Sequence, residues 1–346
     1  MTTPAAARAR EDVAAPGFVE LHGGGTTIAL IPSMGGKIRD LTLAGRQWLW
    51  HNPAIPFTPA RDGATFADTG NSGGFDDCLP TTGECVIPTW VQGVRSRQLK
   101  DHGELWSQQP QLTVTADDRG PATTCSWTGE ALPYRFSRTI AVRPEGSVEF
   151  SYAITNTGTN RLPFLWSSFP VFPLTEHTRI VLPDGARTRI WEQQGIVIGR
   201  PGSEHRWPRM RVGSSLVDLS HPAVAQKEDY TCRLFIDLPK AQSMIAIEEQ
   251  DVRLEMHVNG TSVPRASLWI DRRGWSSAPP AKRWSVPLRA LKSSRSRANL
   301  VFGPCVGAPD TLSEALGAWD DAHWVEPGAT VRWSMTWRGV RIEPPT

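Results

Sequence analysis

A histidine and a glutamate stand two residues apart in the segment 101–106, Asp-His-Gly-Glu-Leu-Trp. If this segment is extended, its side chains alternate, so that His102, Glu104 and Trp106 share one face. An imidazole beside a carboxylate can exchange protons with a bound molecule, and an indole offers a flat wall for stacking. The row predicts a polar floor for a polyol. The alternative is a solvated strand end with Trp106 tucked beneath it.

Two adjacent carboxylates, Asp76 and Asp77, follow the glycines Gly73 and Gly74. Glycines permit a tight loop whose backbone can approach a ligand closely, so this segment is a second candidate for binding or catalysis. The alternative is a turn in which the aspartates hydrogen-bond to their own backbone.

The third candidate segment is 268–275, Leu-Trp-Ile-Asp-Arg-Arg-Gly-Trp. We expect a strand here that runs into a turn and brings Asp271 and Trp275 to the rim of a cleft. The alternative is a surface Asp–Arg pair, which would contribute little to stability.

The elements that must position these groups show the period-two alternation of half-buried strands. In residues 147–155 apolar side chains alternate with polar ones, and the same pattern recurs in residues 253–258 and 331–337. Turn signals rich in Gly, Asn and Asp separate such stretches, and helical periodicity is scarce. The sequence therefore predicts an all-β fold, a large antiparallel β-sandwich with one domain over residues 17–346 and a flexible tail over residues 1–16.

One helix is predicted over Thr311–Gly317, since Thr311 and Glu314 have capping-box spacing and Gly317 could close the helix. The stretches 52–74 and 195–230 are rich in Gly, Pro, Ser and Asp and are expected to be long loops, which often carry function on a rigid β scaffold.

Composition narrows the function classes. The 37 Lys and Arg nearly balance the 35 Asp and Glu, which gives no broad field for nucleic acid or an anionic membrane. The five cysteines form no CxxC pair and are expected to be buried free thiols, and no apolar segment resembles a secretory signal, so we expect a cytoplasmic protein. Nucleotide-binding, HExxH and GxSxG motifs are absent from the sequence. The 15 Trp suit packing between sheets and stacking on sugar rings equally well.

Taken in order, these segments resemble the galactose mutarotase-like (aldose 1-epimerase) superfamily. Residues 101–107, Asp-His-Gly-Glu-Leu-Trp-Ser, are close to identical to a segment of that group, and residues 73–80 resemble its Gly-Gly-Trp-Asp-Glu-Cys-Phe-Pro segment. Further similar segments in register are 36–38, 48–50, 163–168, 268–275 and 307–312. The likeness spans roughly residues 35–337.

The resemblance implies a sugar cleft across one sheet and the interconversion of aldose anomers by a paired acid and base, without a metal, nucleotide or redox cofactor. It matches His102 to a histidine that faces the substrate. The second histidine of the family falls at Phe169, and its general-base glutamate falls at Gly303, before Pro304. Neither replacement can transfer a proton.

Three hypotheses follow from the resemblance and this departure. The first is a carbohydrate-active isomerase with His102 as acid–base catalyst and Glu104 or Asp77 as its partner. The second is a catalytically silent sugar-binding protein, and the third is an enzyme repurposed toward a modified or non-sugar substrate. The residues expected to bind the ligand are Asp76, Trp106, Trp166, Asp271, Trp275, Phe169 and Gly303. The expected partner is a small carbohydrate or related molecule, and the expected assembly is a monomer or homodimer.

Overall fold

The computed structural model describes residues 7–10, 17–61, 63–225, 228–272 and 298–343. The regular structure in these ranges is almost entirely β-strand. The strands of the first half are β1 Ala7–Arg10, β2 Phe18–Gly23, β3 Thr26–Ile31, β4 Lys37–Leu43, β5 Arg46–Gln47, β6 Phe75–Cys78, β7 Cys85–Val86, β8 Gln98–Leu99, β9 Gln111–Asp117, β10 Gly120–Thr128, β11 Tyr134–Val142, β12 Val148–Asn156 and β13 Leu162–Phe164. Those of the second half are β14 Trp166–Pro173, β15 Thr178–Val181, β16 Arg187–Gln194, β17 Glu204–Arg206, β18 Arg209–Val212, β19 Ser215–Asp218, β20 Tyr230–Asp237, β21 Gln242–Glu249, β22 Val252–Asn259, β23 Arg265–Arg272, β24 Asn299–Val306, β25 His323–Val325 and β26 Thr330–Arg341.

Two large sheets account for most of these strands. The larger sheet has the order β1-β2-β3-β4-β6-β14-β24-β23-β20-β16-β17, with β5 paired to β4, and the smaller has the order β15-β21-β22-β26-β12-β11-β10-β9. Neighbouring strands in both sheets are antiparallel. The predicted all-β antiparallel sandwich is therefore confirmed.

The main core lies between the two sheets and is rich in aromatic rings. Phe75 of the larger sheet stacks on Trp337 of the smaller, with ring centroids 5.3 Å apart. Trp166 of the larger sheet lies 4.6 Å from Tyr152 of the smaller. Alternation explains this layer, since β12 turns its even-numbered apolar residues inward and leaves its odd-numbered ones half-buried or exposed. Many of the tryptophans therefore serve packing between the sheets.

The structure confirms the predicted helix but not all of the predicted loops. A short helix, α1, spans Leu312–Ala315 with Thr311 at its N-cap, which confirms the predicted helix in a shorter form. The stretch 195–230 is not one long loop, because it contains β17, β18 and β19. The stretch 52–74 is mainly irregular but includes a π-helical turn at Phe66–Gly70.

The five cysteines are buried free thiols, as predicted. Within the described ranges, every helix is too short or too polar to cross a membrane. The predicted N-terminal tail lies outside the described residues except for β1, which pairs with β2 at the sheet edge.

Candidate functional site

A cleft of about 440 Å³ lies on the face of the larger sheet that is turned away from the smaller sheet. Its floor is formed by odd-numbered residues of adjacent strands, because Val171, Val301 and Trp269 stand opposite one another in the strand register. The even-numbered residues of the same strands, such as Leu300 and Leu268, point into the core between the sheets. The cleft is lined by Trp50, Asn52, Phe66, Ala67, Asn71, Thr82, Gly83, Asp101, His102, Phe169, Val171, Trp191, Glu192, Arg233, Trp269, Asp271, Asn299, Val301, Asp310 and Thr311.

His102 reaches this cleft, but from a turn between β8 and β9 rather than from a strand. Its backbone has a φ of 59°, a left-handed conformation that is uncommon for a residue other than glycine. The imidazole stacks on Phe66 with ring centroids 3.7 Å apart and meets the edge of Phe169 at 4.8 Å. The expectation that residues 101–106 form an extended row was wrong, because the chain turns here.

Asp101 lies beside the imidazole, with Oδ2 at 3.1 Å from Nδ1 of His102. Burial acts to raise the pKa of Asp101, but the interaction with His102 outweighs burial and leaves the pKa below its ordinary value. Although Nδ1 makes no hydrogen bond among the described residues, the ionised carboxylate beside it favours a proton on that nitrogen, which leaves Nε2 as the acceptor.

Glu104 does not face the cleft, which corrects its predicted catalytic role. Its carboxylate is 3% exposed and accepts hydrogen bonds from Tyr134 Oη at 2.6 Å and from the backbone nitrogens of Glu130 and Ala131, both at 3.0 Å. These bonds tie the turn that carries His102 to the hairpin between β10 and β11. The role of Glu104 in this structure is to fix the turn.

Asp77 is also turned away from the cleft, because it lies on the core side of β6 opposite Ser168. Arg138 Nη1 donates to its carboxylate at 2.7 Å, and Trp166 Nε1 donates at 3.0 Å. Although burial opposes charge on Arg138, the Asp77 carboxylate raises the pKa of the guanidinium. Asp77 is thus the acid of an ion pair between the sheets, and its predicted catalytic role is corrected.

Asp76 points to the opposite side of β6 from Asp77 and is paired with the buried ammonium of Lys37. Lys37 Nζ also donates to the carbonyl oxygens of Gly70 and Gly73, both at 3.0 Å. These bonds hold the turn that ends at Gly70 and carries Phe66 into the cleft. Asp76 is 5% exposed and is not among the lining residues, so it supports the site from below rather than contacting the cleft.

The tryptophans predicted to stack on a bound sugar do not line the cleft where they are described. Trp166 is fully buried in the core, and Trp106 is 5% exposed with Nε1 bonded to the carbonyl oxygens of Asp101 and Gly103. Both indoles are structural, because their polar atoms are satisfied inside the protein. The indoles that line the cleft are Trp50, Trp191 and Trp269.

Phe169 and Gly303, the positions expected to carry a second histidine and a glutamate, differ in their surroundings. Phe169 lines the cleft between His102 and Arg233. Gly303 is not a lining residue, and a Cβ there would overlap Ser168 Oγ. A glutamate side chain at position 303 would therefore need Ser168 to move.

Asp271 is placed on the cleft as predicted, at the end of β23. Trp275 lies outside the described residues. Among the described residues, no cluster of His, Cys, Asp and Glu side chains has the make-up of a metal site.

Sequence reasoning missed most of the lining residues, and the charged ones among these are Asp101, Glu192, Arg233 and Asp310. Arg233 holds the Asp310 carboxylate through Nε at 3.0 Å and Nη2 at 2.6 Å. Although Glu192 is exposed, partial desolvation, followed by the nearby charge of Asp310, raises its pKa, while Arg233 opposes the shift. The one available signal was a charged residue inside an apolar strand, as in Arg233 between Cys232 and Leu234.

No protein-family model matches this sequence. No curated protein matches it either. Solved structures do match it over nearly its whole length. A galactose mutarotase-like protein from Clostridium acetobutylicum superimposes with a TM-score of 0.62 at 10% identity, covering 98% of this chain and 99% of that one. A galactose mutarotase-like protein from Lactobacillus casei gives 0.60 at 12% identity over 94% and 100%. A galactose mutarotase related enzyme from Lactobacillus acidophilus gives 0.58 at 12% identity over 95% and 99%. At such identities the likeness establishes the fold.

Proposed function

We propose that this chain, which has the galactose mutarotase-like fold, binds a monosaccharide in the cleft and interconverts its anomers by acid–base catalysis. The proposal rests on one observation. The imidazole of His102, with Asp101 beside it, and the carboxyl group of Glu192 line the same cavity. Three indoles line it as well. A cavity of about 440 Å³ has the size of a small-ligand site.

In the proposed reaction, Nε2 of neutral His102 accepts the proton of the C1 hydroxyl while the protonated carboxyl of Glu192 donates a proton to the ring oxygen. The ring opens, the C1–C2 bond rotates, and closure from the other face returns both protons. Two features favour these roles. Asp101 Oδ2 lies 3.1 Å from Nδ1, where its charge favours a proton, and the pKa of Glu192 is raised from its ordinary value.

Polarimetry tests this proposal. Freshly dissolved α-D-glucose and α-D-galactose are followed with the wild type, with His102→Asn and with a buffer blank. Asparagine is chosen because it tolerates the left-handed backbone of position 102. We expect decay faster than the blank for at least one sugar, and a loss of about 10²- to 10⁴-fold in His102→Asn.

The matched control is His177→Asn, at an exposed histidine outside the cleft. It should keep the wild-type rate. Decay no faster than the blank for either sugar at high protein concentration would contradict the proposed turnover of these sugars.

A second candidate is sugar binding without turnover. It is favoured by Phe169 and Gly303, where the resemblance leads one to expect proton-transferring groups. In that case sugars should bind with equal affinity to the wild type and to Glu192→Gln, and neither should accelerate mutarotation.

A further inference from the structure

The middle of the cleft floor is apolar. Val171, Val301 and Trp269 stand opposite one another on the adjacent strands β14, β24 and β23, and all three line the cleft. At a strand spacing of about 4.8 Å, the row from the first of these strands to the third spans about 10 Å. Both valines are largely buried, so a ligand group reaches them only by entering the cleft deeply.

Trp50 extends this apolar surface. Its backbone nitrogen donates to the carbonyl oxygen of Val171 at 2.7 Å, and its side chain lines the same cleft. Trp50 and Trp269 are half-buried, so each indole keeps part of its surface open to the cleft. We call the side chains of Trp50, Val171, Val301 and Trp269 the apolar floor.

Polar groups border the apolar floor. Asp271 and Asn299 stand opposite each other on β23 and β24, two residues away from the floor along each strand. Arg233 and Glu192 continue the row of the floor onto β20 and β16. His102 enters the cleft from the turn between β8 and β9. The groups proposed to transfer protons, His102 and Glu192, therefore lie around the floor rather than in it.

A plain hexose matches such a floor poorly. It carries a hydroxyl group on most of its carbons, and the valine side chain can neither donate nor accept a hydrogen bond. A hydroxyl placed over Val171 and Val301 would lose its water without gaining a partner, which is unfavourable. An indole can stack on the C–H face of a sugar ring, but valine has no π face. A hydrocarbon group gains from the same contacts, since each buried methylene tightens binding about fourfold.

We propose that the aldose bound in this cleft carries an apolar substituent, an alkyl or acyl group, that packs on the apolar floor. This inference rests on the proposed function, because it specifies the class of sugar on which the cleft acts. The substituent belongs at a position other than C1, since interconversion of the anomers needs a free C1 hydroxyl. The hydroxyl groups of the ring then face the polar residues that border the floor, and the substituent covers the valines.

Isothermal titration with a matched set of ethers tests the inference. D-galactose is compared with its 6-O-butyl ether and with its 6-O-(2-methoxyethyl) ether, which has the same chain length but an oxygen in place of one methylene. The 4-O ethers and the corresponding D-glucose series are measured in parallel. We expect at least one butyl ether to bind about tenfold or more tightly than its parent sugar, and about fourfold or more tightly than its methoxyethyl counterpart.

Two variants assign the gain to the floor. Val301→Thr and Val171→Thr each place a hydroxyl on it with little change in volume. In either variant the affinity for the butyl ether, divided by that for the parent sugar, should fall about fourfold or more. The matched control is Val86→Thr, at an exposed valine outside the cleft, which should keep the wild-type ratio.

The outcomes separate the inference from the function on which it rests. If a parent sugar binds but no butyl ether binds more tightly, or if the methoxyethyl ether gains as much, the apolar substituent is wrong while the proposed function stands. If maltose exceeds D-glucose by as much as the butyl ether does, the floor accepts a second sugar ring and the class of substituent is wrong. An unchanged ratio in both threonine variants would overturn the assignment to Val171 and Val301. If no sugar binds, plain or substituted, both the inference and the proposed function are overturned.

Discussion

Replacing Asp77 by asparagine removes the negative charge that Arg138 faces between the two sheets. Arg138 is 1% exposed and also donates to the carbonyl oxygen of Gly36, so it has no route to solvent. Asparagine keeps one oxygen, which can still accept from Trp166 or from Arg138. The change therefore isolates the loss of charge from a loss of volume.

Breaking a buried ion pair by removing one partner costs about 3–5 kcal/mol. Because the asparagine oxygen retains one hydrogen bond, we expect the lower end, about 3 kcal/mol, for Asp77→Asn. With a urea m value of about 3 kcal/mol/M, the unfolding midpoint should fall by about 1 M. A domain with total stability of about 5–15 kcal/mol remains folded after this loss.

Urea unfolding followed by tryptophan fluorescence measures this change. Asp251→Asn breaks an exposed pair with Arg341 and is the matched control, expected to cost about 1 kcal/mol at most. The double variant Asp77→Leu/Arg138→Met removes both buried charges and should recover most of the loss. An unchanged midpoint in Asp77→Asn together with abolished sugar turnover would refute the reasoning, because Asp77 would then act in the cleft.

Three further predictions concern the cleft and its support. In Glu104→Gln an amide NH2 replaces one carboxylate oxygen, so at least one of the buried donors loses its acceptor and the free energy of unfolding in urea should fall by about 1–3 kcal/mol. No change would show that these hydrogen bonds do not contribute to stability. Phe66→Leu keeps an apolar side chain but removes the ring stacked on His102, so turnover measured by polarimetry should fall, by up to about tenfold, and an unaltered rate would count against positioning by the stack. The pKa of Glu192 is raised in the folded state from the ordinary value of 4.5, so the folded state binds this proton more tightly and the free energy of unfolding falls as pH rises through this window. In urea titrations across pH, Glu192→Gln should lose this part of the pH dependence, whereas the exposed control Glu176→Gln should keep it. The same pH dependence in the wild type and both variants would contradict the shift.

The strand architecture was predictable because one face of each strand is buried. In β12 the buried residues Val148, Phe150, Tyr152 and Ile154 alternate with half-buried or exposed ones, and this alternation is written directly into the sequence. The start of α1 at Thr311 was also predictable, but the capping box is not formed, because the Thr311 hydroxyl donates to the Glu314 carboxylate and accepts from no backbone nitrogen of the first turn. Local sequence patterns were therefore sufficient to predict the strands and the position of the helix.

The site was harder to predict because its residues come together through topology. Asp76 and Asp77 are neighbours in sequence but lie on opposite faces of β6, and both faces are buried, so alternation alone could not say which one meets the cleft. Asp77 finds its partner Arg138 61 residues away. His102 reached the cleft through a left-handed turn that its side-chain type does not predict.

The cleft residues Glu192, Arg233 and Asp310 come from β16, β20 and the segment before α1. Only Arg233 stands out in its own segment, as a charged residue in an apolar strand. Their contact depends on β16 and β20 being neighbours in the larger sheet and on the α1 segment folding over that sheet's outer face. No spacing in the sequence predicts that these three residues meet. The resemblance placed the expected glutamate at the position of Gly303 and gave no indication that Glu192 lines the cleft.

The most direct measurement of the central claim is saturation transfer between the anomeric protons of an aldose in the presence of the protein. Irradiating the α-anomer signal should reduce the β-anomer signal when the wild type is present. With His102→Asn this transfer should vanish while saturation transferred from the protein still reports bound sugar. The absence of both effects in the wild type, for glucose and galactose alike, would contradict the assignment of this cleft as a site of anomer interconversion.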